Sequence, residues 1–531
     1  MPDPKEGEAD PYGGKFFRIF RGALGKAIGF RWITLAATAV LLIVSLVGFT
    51  RVEQMFFPDS TRLQFMVDYW APEGTRIQQV STDLKPIEEK LMKNARVKNV
   101  STFVGAGGPR FYIPVDPELP YPSYGQLVVN TQTLEDVDTL VKEMEPWLNE
   151  NFPQALIRVR KYSVGPSDTW PFEARFSGPG DADLNVLRSI GRKGMAILEK
   201  NPMAKHVRTD MRQPVKKVVT EYNQARARWS VVSRMDLARA TKLAYDGMPV
   251  GLYRQGTDLY PIILRFVEKD RRDFPEAMDV TPIRPALLVD TVPLGQVTSD
   301  IRMESEDPII VRWNRRRAVT VQASPNNVTF PTLRNSVLKD FEAIELPPSY
   351  RLEWQGEYDS TRDAQMSLVP GSIPALVIML FIIVVLFNAI RPTIIILLAV
   401  PLGIIGITGG LLGTGIPFGF MSLLGAMSLV GMMIKNSIVL LDQINIEKAA
   451  GKSPYQAVMD SGVSRLMPVI LAAATTVLGV MPLLQDIFWV SMAVTIMAGL
   501  TVGTMITMII VPVLYATLFR VPSPKTQKGD A

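Results

Sequence analysis

No cysteine occurs in these 531 residues, and histidine occurs once, at His206. Disulfide staples and thiolate metal sites are excluded, and catalysis by several His or Cys residues has no support. No Ser-His-Asp or metal-ligand constellation can be placed, so the expectation is no enzyme, no cofactor and no resident metal. Acid is scarce where apolar residues run longest: within the stretches able to cross a bilayer only Asp442 and Asp486 occur, at or near their ends. The short segments GTGIPFG and LQDI carry no Lys or Arg. No cleavable leader is expected, because the first apolar run follows polar and basic residues and is too long and unbroken for an h-region.

What remains is 47% hydrophobic, with a net charge of +6. The positive residues gather beside apolar runs, where they set membrane orientation, so this excess does not point to nucleic acid. Residues 1–14 are acidic and rich in Pro and Gly, and read as disordered. KFFRIFRGALGKAIGFR (15–31) reads as an amphipathic helix in the cytoplasmic interface, among membrane lipids; the plainer reading is a basic flank. A first transmembrane helix at 32–50 is followed by about 320 soluble residues. Five spans then follow within 369–519, near 369–390, 393–414, 418–441, 467–484 and 488–519, before a cytoplasmic tail at 520–531. Small residues stud the third (Gly403, Gly406, Gly409, Gly410, Gly413) and the sixth (Gly499, Gly503), permitting close helix contact. Arg391, Glu447, Lys448, Lys452, Arg465 and Arg520 fall on one side of the membrane, consistent with six crossings.

The fourth run, FGFMSLLGAMSLVGMMIKNSIVLL, holds Lys435 about a turn and a half from its cytoplasmic end, followed by Asn436 and Ser437. An ammonium at membrane depth costs roughly 2.5 to 3.5 kcal/mol and usually pairs with a carboxylate. The other runs offer none, so its anion is expected from another polypeptide. The alternative is snorkelling to the inner interface.

The soluble region alternates strand and helix. Residues 58–166 read as one ferredoxin-like split βαβ unit, and 170–213 with 303–358 as a second, interrupted by a module at 214–302. The fold class is therefore an α+β membrane protein: six transmembrane helices and a large extracytoplasmic region of two ferredoxin-like split βαβ subdomains with an insertion.

That layout resembles the C-terminal half of a resistance-nodulation-division (RND) efflux permease of the AcrB/AcrD/AcrF-like hydrophobe/amphiphile-exporting kind. The words that carry the resemblance are FFPDSTRLQFMVDYWAPEGT, VPLGIIG, VGMMIKNSIVLLDQIN, SRLMPVILAAATTVLGVMPL and VPVLYATLF. It implies two porter subdomains and a docking subdomain, an inner-membrane trimer, a periplasmic adaptor (membrane fusion) protein and an outer-membrane channel. It also implies an N-terminal half of the permease carrying the proton-binding aspartates. Lys435 matches the relay lysine and Arg465 the arginine at the inner mouth of the fifth span. Thr475 and Thr476 match its hydroxyl-bearing stretch, although Ala472 stands where multidrug members carry a threonine.

Each candidate has a plainer reading. Asn436 and Ser437 could be interhelical glue, Arg465 a positive-inside anchor, and Thr475 and Thr476 ligands of their own backbone carbonyls. In GAGGPRFYIPVDPELPYPSY (105–124) and its flank, Phe103, Arg110, Phe111 and Tyr112 are the candidate substrate contacts, since aromatic rings hold apolar and cationic compounds. Phe103 could equally cap a core. Metal export, with methionines as soft ligands, lipid export, and a non-transporting membrane scaffold or regulator are the alternatives to drug-like efflux. His206 reads as structural.

Overall fold

The computed structural model describes residues 14–165, 170–271, 276–287 and 289–522. The expectations for 1–13 and most of the tail lie outside them. The chain separates into two compact units, one of 1–71, 76–210 and 311–531 and a second of 72–75 and 211–310.

In the first unit, six helices among the described residues are long and apolar enough to cross a membrane. Hydropathy underestimates several of them. The second runs Glu357–Phe387, twelve residues earlier than the apolar run, because strand Arg351–Gly356 feeds straight into it through Gly356 (φ +66°). It ends at Asn388, in the left-handed region at φ +44°. The fourth runs Phe420–Ala449 and the fifth Pro454–Val480, the latter started by Ser453, whose hydroxyl accepts from the Gln456 amide. The third is two helices, Ile390–Ala399 and Gly403–Thr414, joined by a tight turn at Val400–Leu402, where Pro401 interrupts the ladder. The first and sixth are Arg31–Phe49 and Val490–Leu518.

Five of the seven helix glycines noted in the third and sixth spans sit at close approaches. A Cβ on Gly406 would lie 2.5 Å from the Ala498 carbonyl oxygen, and one on Gly503 3.2 Å from the Met433 sulfur. Gly403, Gly410 and Gly499 are similarly crowded, while Gly409 and Gly413 face open space. Helix Lys15–Gly29 precedes the first span and buries Leu24 and Ile28 against Val458 and Met459 of the fifth.

Two sheets complete this unit. In the first, Val97–Val104, Tyr124–Thr131, Gln64–Trp70 and Leu156–Lys161 lie in that order, all antiparallel, the order of a split βαβ unit. Phe65, Val67 and Tyr69 alternate toward helices Ile77–Met92 and Leu134–Asn151. In the second, Ala204–Thr209, Arg316–Pro325, Phe172–Ser177 and Arg351–Gly356 repeat the order, with Arg312–Trp313 pairing the start of Arg316–Pro325. The chain leaves this sheet at 210 and returns at 311.

The second unit pairs Val215–Tyr222 with Thr298–Glu306 around a core including Ala227, Leu237, Ile283 and Leu294. Its outlying segment 72–75 is held by the nearly buried ion pair Arg212–Glu73, Nε to Oε1 2.6 Å. Hairpin Met248–Gln255/Asp258–Leu264 exposes side chains on both faces.

Gly406→Leu is expected to destabilise the folded protein by about 1–3 kcal/mol or more, since backbone must move. Gly409→Leu should leave stability within about 0.5 kcal/mol. Thermal unfolding in detergent checks both; equal melting points would contradict the packing described.

Candidate functional site

Because the fourth helix continues to Ala449, Lys435 stands fifteen residues after Phe420 and fourteen before Ala449. It lies about 21 Å from either end at the usual rise, at mid-helix, while the apolar part ends at Leu441, six residues beyond the lysine. The side chain is exposed, on a stripe with Ser428, Gly431, Asp442 and Asn445 at helical spacing. Among the described residues Lys435 makes no hydrogen bond or ion pair. Asn436 and Ser437 turn the other way and are buried: the Asn436 amide lies 3.5 Å from the Thr504 hydroxyl on the sixth helix, and the Ser437 hydroxyl donates to the Met433 carbonyl at 3.0 Å.

Arg465 is half-buried and forks onto the Gln443 side-chain oxygen (Nε 3.0 Å, Nη2 2.5 Å). Gln443 donates to Glu447 at 2.9 Å, and Glu447 pairs with Lys452 at 2.7 Å. Lys452 also reaches Asp460, which pairs in turn with Arg21 of the first helix. A polar chain thus joins Arg465 to the basic helix ahead of the first span. Thr475 and Thr476 both donate to the Ala472 carbonyl at 3.0 Å. Thr475 is exposed beside Leu471 and Leu478, and Thr476 is half-buried.

The loop after Val97–Val104 folds back across the helix-free face of its own sheet. Phe103, Tyr112 and Val115 pack on Met66, Val128 and Tyr162, and the Tyr112 hydroxyl donates to the Ser163 carbonyl at 2.8 Å. Arg110 is tied to the Ile113 carbonyl and to Asp116, 3.2 Å away. Phe111 is half exposed. Of these four candidates, then, Phe103 and Tyr112 come together as a cover and Phe111 and Arg110 stay at the surface.

Beside that cover lies a charged cluster that the sequence reading missed. Asp68, 1% exposed, accepts from Arg160 Nε (2.6 Å), the Tyr124 hydroxyl and the Gln126 amide (both 2.8 Å). Burial alone would raise its pKa, but Arg160, Arg158 and these hydrogen bonds outweigh that and hold it below the ordinary carboxylate value. Burial and the neighbouring Arg160 push Arg158 down to about 9. Arg158 lies 4.4 Å over the Trp170 ring, and Arg208, from the second sheet, lies over Trp170 and Trp70 at 4.4 and 4.6 Å. A second link joins the modules: Glu145 meets Lys205 at 2.8 Å and His206 Nε2 at 2.7 Å, and these contacts overcome burial to hold Glu145 at about 2. The visible signal was alternation: MVDYW and RVR put Asp68, Arg158 and Arg160 on the face opposite the apolar one.

A model of the AcrB/AcrD/AcrF family matches residues 15–519. The chain belongs to that family. Its members are RND-type membrane transporters, and the six apolar helices agree with a multi-pass membrane protein. Swarming motility protein SwrC of Bacillus subtilis (strain 168) is 20% identical over 97% of this chain and 48% of its own length. Nickel-cobalt-cadmium resistance protein NccA of Alcaligenes xylosoxydans xylosoxydans is 24% identical over 94% of this chain and 48% of its own. A heavy metal efflux pump crystal structure superimposes with a TM-score of 0.79 at 19% identity, covering 95% of this chain and 51% of that one. The chain therefore spans about half the length of the relatives it matches.

Replacing Asp68 by Ala removes the carboxylate that pairs with the buried Arg160 and offsets the charge of Arg158, and is expected to cost about 3–5 kcal/mol. Because the Asp68 pKa is lowered on folding, its contribution is present above the ordinary carboxylate pKa and fades as pH falls through the lower folded value. Melting temperature followed from pH 7 toward pH 3 should show an acid limb that flattens in Asp68→Asn.

Proposed function

We propose that this chain is the C-terminal half of a proton-driven RND efflux permease, in which Lys435 is one pole of the coupling pair. An exposed ammonium within the apolar part of the helix, six residues before that part ends at Leu441, faces lipid only at a cost of about 2.5–3.5 kcal/mol at full depth. An acid from the N-terminal half, which this stretch of sequence does not include, covers it. Ionised, that acid pairs with Lys435; protonated, it releases it, and the change in charge pairing shifts helix packing between two states. The polar chain from Arg465 through Gln443 and Glu447 supplies a route for protons at the basic end of the spans. Thr475 and Thr476 stand as hydroxyl relays on the fifth helix, and Asn436 holds the fourth helix against the sixth.

The two split βαβ modules serve as porter subdomains and residues 214–302 as the docking subdomain, on the periplasmic side of the inner membrane. The complete pump works as a trimer with an adaptor and an outer-membrane channel. Its cargo is a hydrophobic or amphiphilic compound, contacted by the half-exposed Phe111 and the rim of Tyr112 and Arg110. A second reading is export of a divalent metal ion, favoured by the nickel-cobalt-cadmium resistance of NccA.

With the complete assembly in cells, Lys435→Met is expected to lower export at least a hundredfold without lowering the amount in the membrane, and Lys435→Arg to retain part of it. Undiminished export in Lys435→Met would sink the coupling role and leave a scaffold. Parallel assays with a cationic dye and with nickel or cobalt separate the two cargoes: Phe111→Ala should reduce dye export severalfold, and a pump moving only the metal decides for the second reading.

A further inference from the structure

A crevice of about 650 Å³ opens between helix Lys15–Gly29 and the first turns of Pro454–Val480. We propose that it binds one anionic phospholipid, its headgroup phosphate held by Arg18 and Lys26 and its glycerol and upper acyl chain laid along the glycine face of the helix. This goes beyond the transport reading and stands whichever compound is exported, since it needs only that the spans lie in a bilayer.

Glycine makes the space. Gly22 and Gly29 line the crevice, and a Cβ built on either meets nothing within 4 Å. Between them the helices do touch: a Cβ on Gly25 would lie 3.6 Å from the Tyr455 hydroxyl and 3.8 Å from the Met459 methyl. Leu24 and Ile28 lock the adjoining side into the core. The helix is thus anchored along one edge and held off along the next.

The charge is one-sided. Asp460 is the acid on the wall, and it is already paired twice, to Arg21 at 3.2 Å and to Lys452 at 2.8 Å. Arg18 and Lys26 also line the crevice, and their side chains make no hydrogen bond or ion pair among the described residues. Two uncompensated cations over an apolar floor of Phe30 and Met459 suit a phosphate with a hydrocarbon tail. The position agrees: the helix turns at Phe30 into the first span, and Phe16, Ile19 and Trp32 around it are more than half exposed. Those side chains belong at the hydrocarbon boundary, with the crevice at headgroup level in the leaflet flanked by the basic residues.

Native mass spectrometry of the detergent-purified full-chain assembly, titrated with phosphatidylglycerol or phosphatidylcholine, tests this. One saturable phosphatidylglycerol per chain is expected, bound at least about fivefold tighter than phosphatidylcholine, and roughly tenfold weaker in the double variant Arg18→Gln/Lys26→Gln. Gly22→Leu keeps every charge and fills open space, so it should remove the saturable event while leaving the melting temperature unchanged. Equal binding of the two lipids, undiminished binding in Gly22→Leu, or displacement of phosphatidylglycerol by millimolar inorganic phosphate would each overturn the proposal. The last would assign the crevice to a free anion.

Discussion

Charge removed from water needs a partner, and where this chain supplies the partner and where it does not organises the whole structure. In the first sheet it supplies one: Asp68 is enclosed by Arg160, Tyr124 and Gln126, with Arg158 close by. In the fourth helix it supplies none among the described residues, and Lys435 stands exposed in the apolar segment, six residues before that segment ends at Leu441. The same cost that makes the first cluster a fixed structural joint makes the second an unfinished one. A closed network of this kind resists titration near neutral pH. In the coupling proposed above, the ammonium of Lys435 awaits an external acid, and there a single proton changes the balance.

The helices show a matching asymmetry. Only 6% of the best apolar window of the first and second spans is buried within the chain, against 56% and 61% for the third and sixth. The glycine contacts at Gly406 and Gly503 explain the tight pair. The loose ones, together with the exposed faces of the fourth and fifth, are surfaces that lipid or further helices must cover. Lys435 and Thr475 lie on such faces, whereas Asn436 and Arg465 lie against neighbours within the chain.

Membrane spans were legible because twenty apolar residues have few other uses, yet their ends were not. The second helix carries Glu357 to Leu368 as a polar extension, and the fourth adds Asp442 to Ala449. Hydropathy stops where polarity begins, but the hydrogen-bond ladder continues while no proline or left-handed residue interrupts it. Lys435 is therefore at mid-helix but still six residues from the end of the apolar run at Leu441, and the added turns are polar. The strands were legible by alternation, but the partners of Asp68 were not. Gln126 and Arg160 come from strands far apart in sequence, and only the strand order, which sets both beside Gln64–Trp70, brings them to Asp68.

The Arg–Trp contacts between the two sheets bear on how motion in the membrane could reach the soluble part. Arg208 over Trp70 and Trp170 is a face-to-cation contact, which tolerates sliding better than a hydrogen bond of fixed direction. The Glu145 link to Lys205 and His206 is directional and short by comparison. One seam therefore combines a pivot that can slip with a clasp that cannot without breaking. Helix Glu357–Phe387 leaves the second sheet without an intervening loop, joined to strand Arg351–Gly356 at Gly356. The Glu145 clasp and the stacked arginines are therefore the contacts that tie the first module to the one this helix enters.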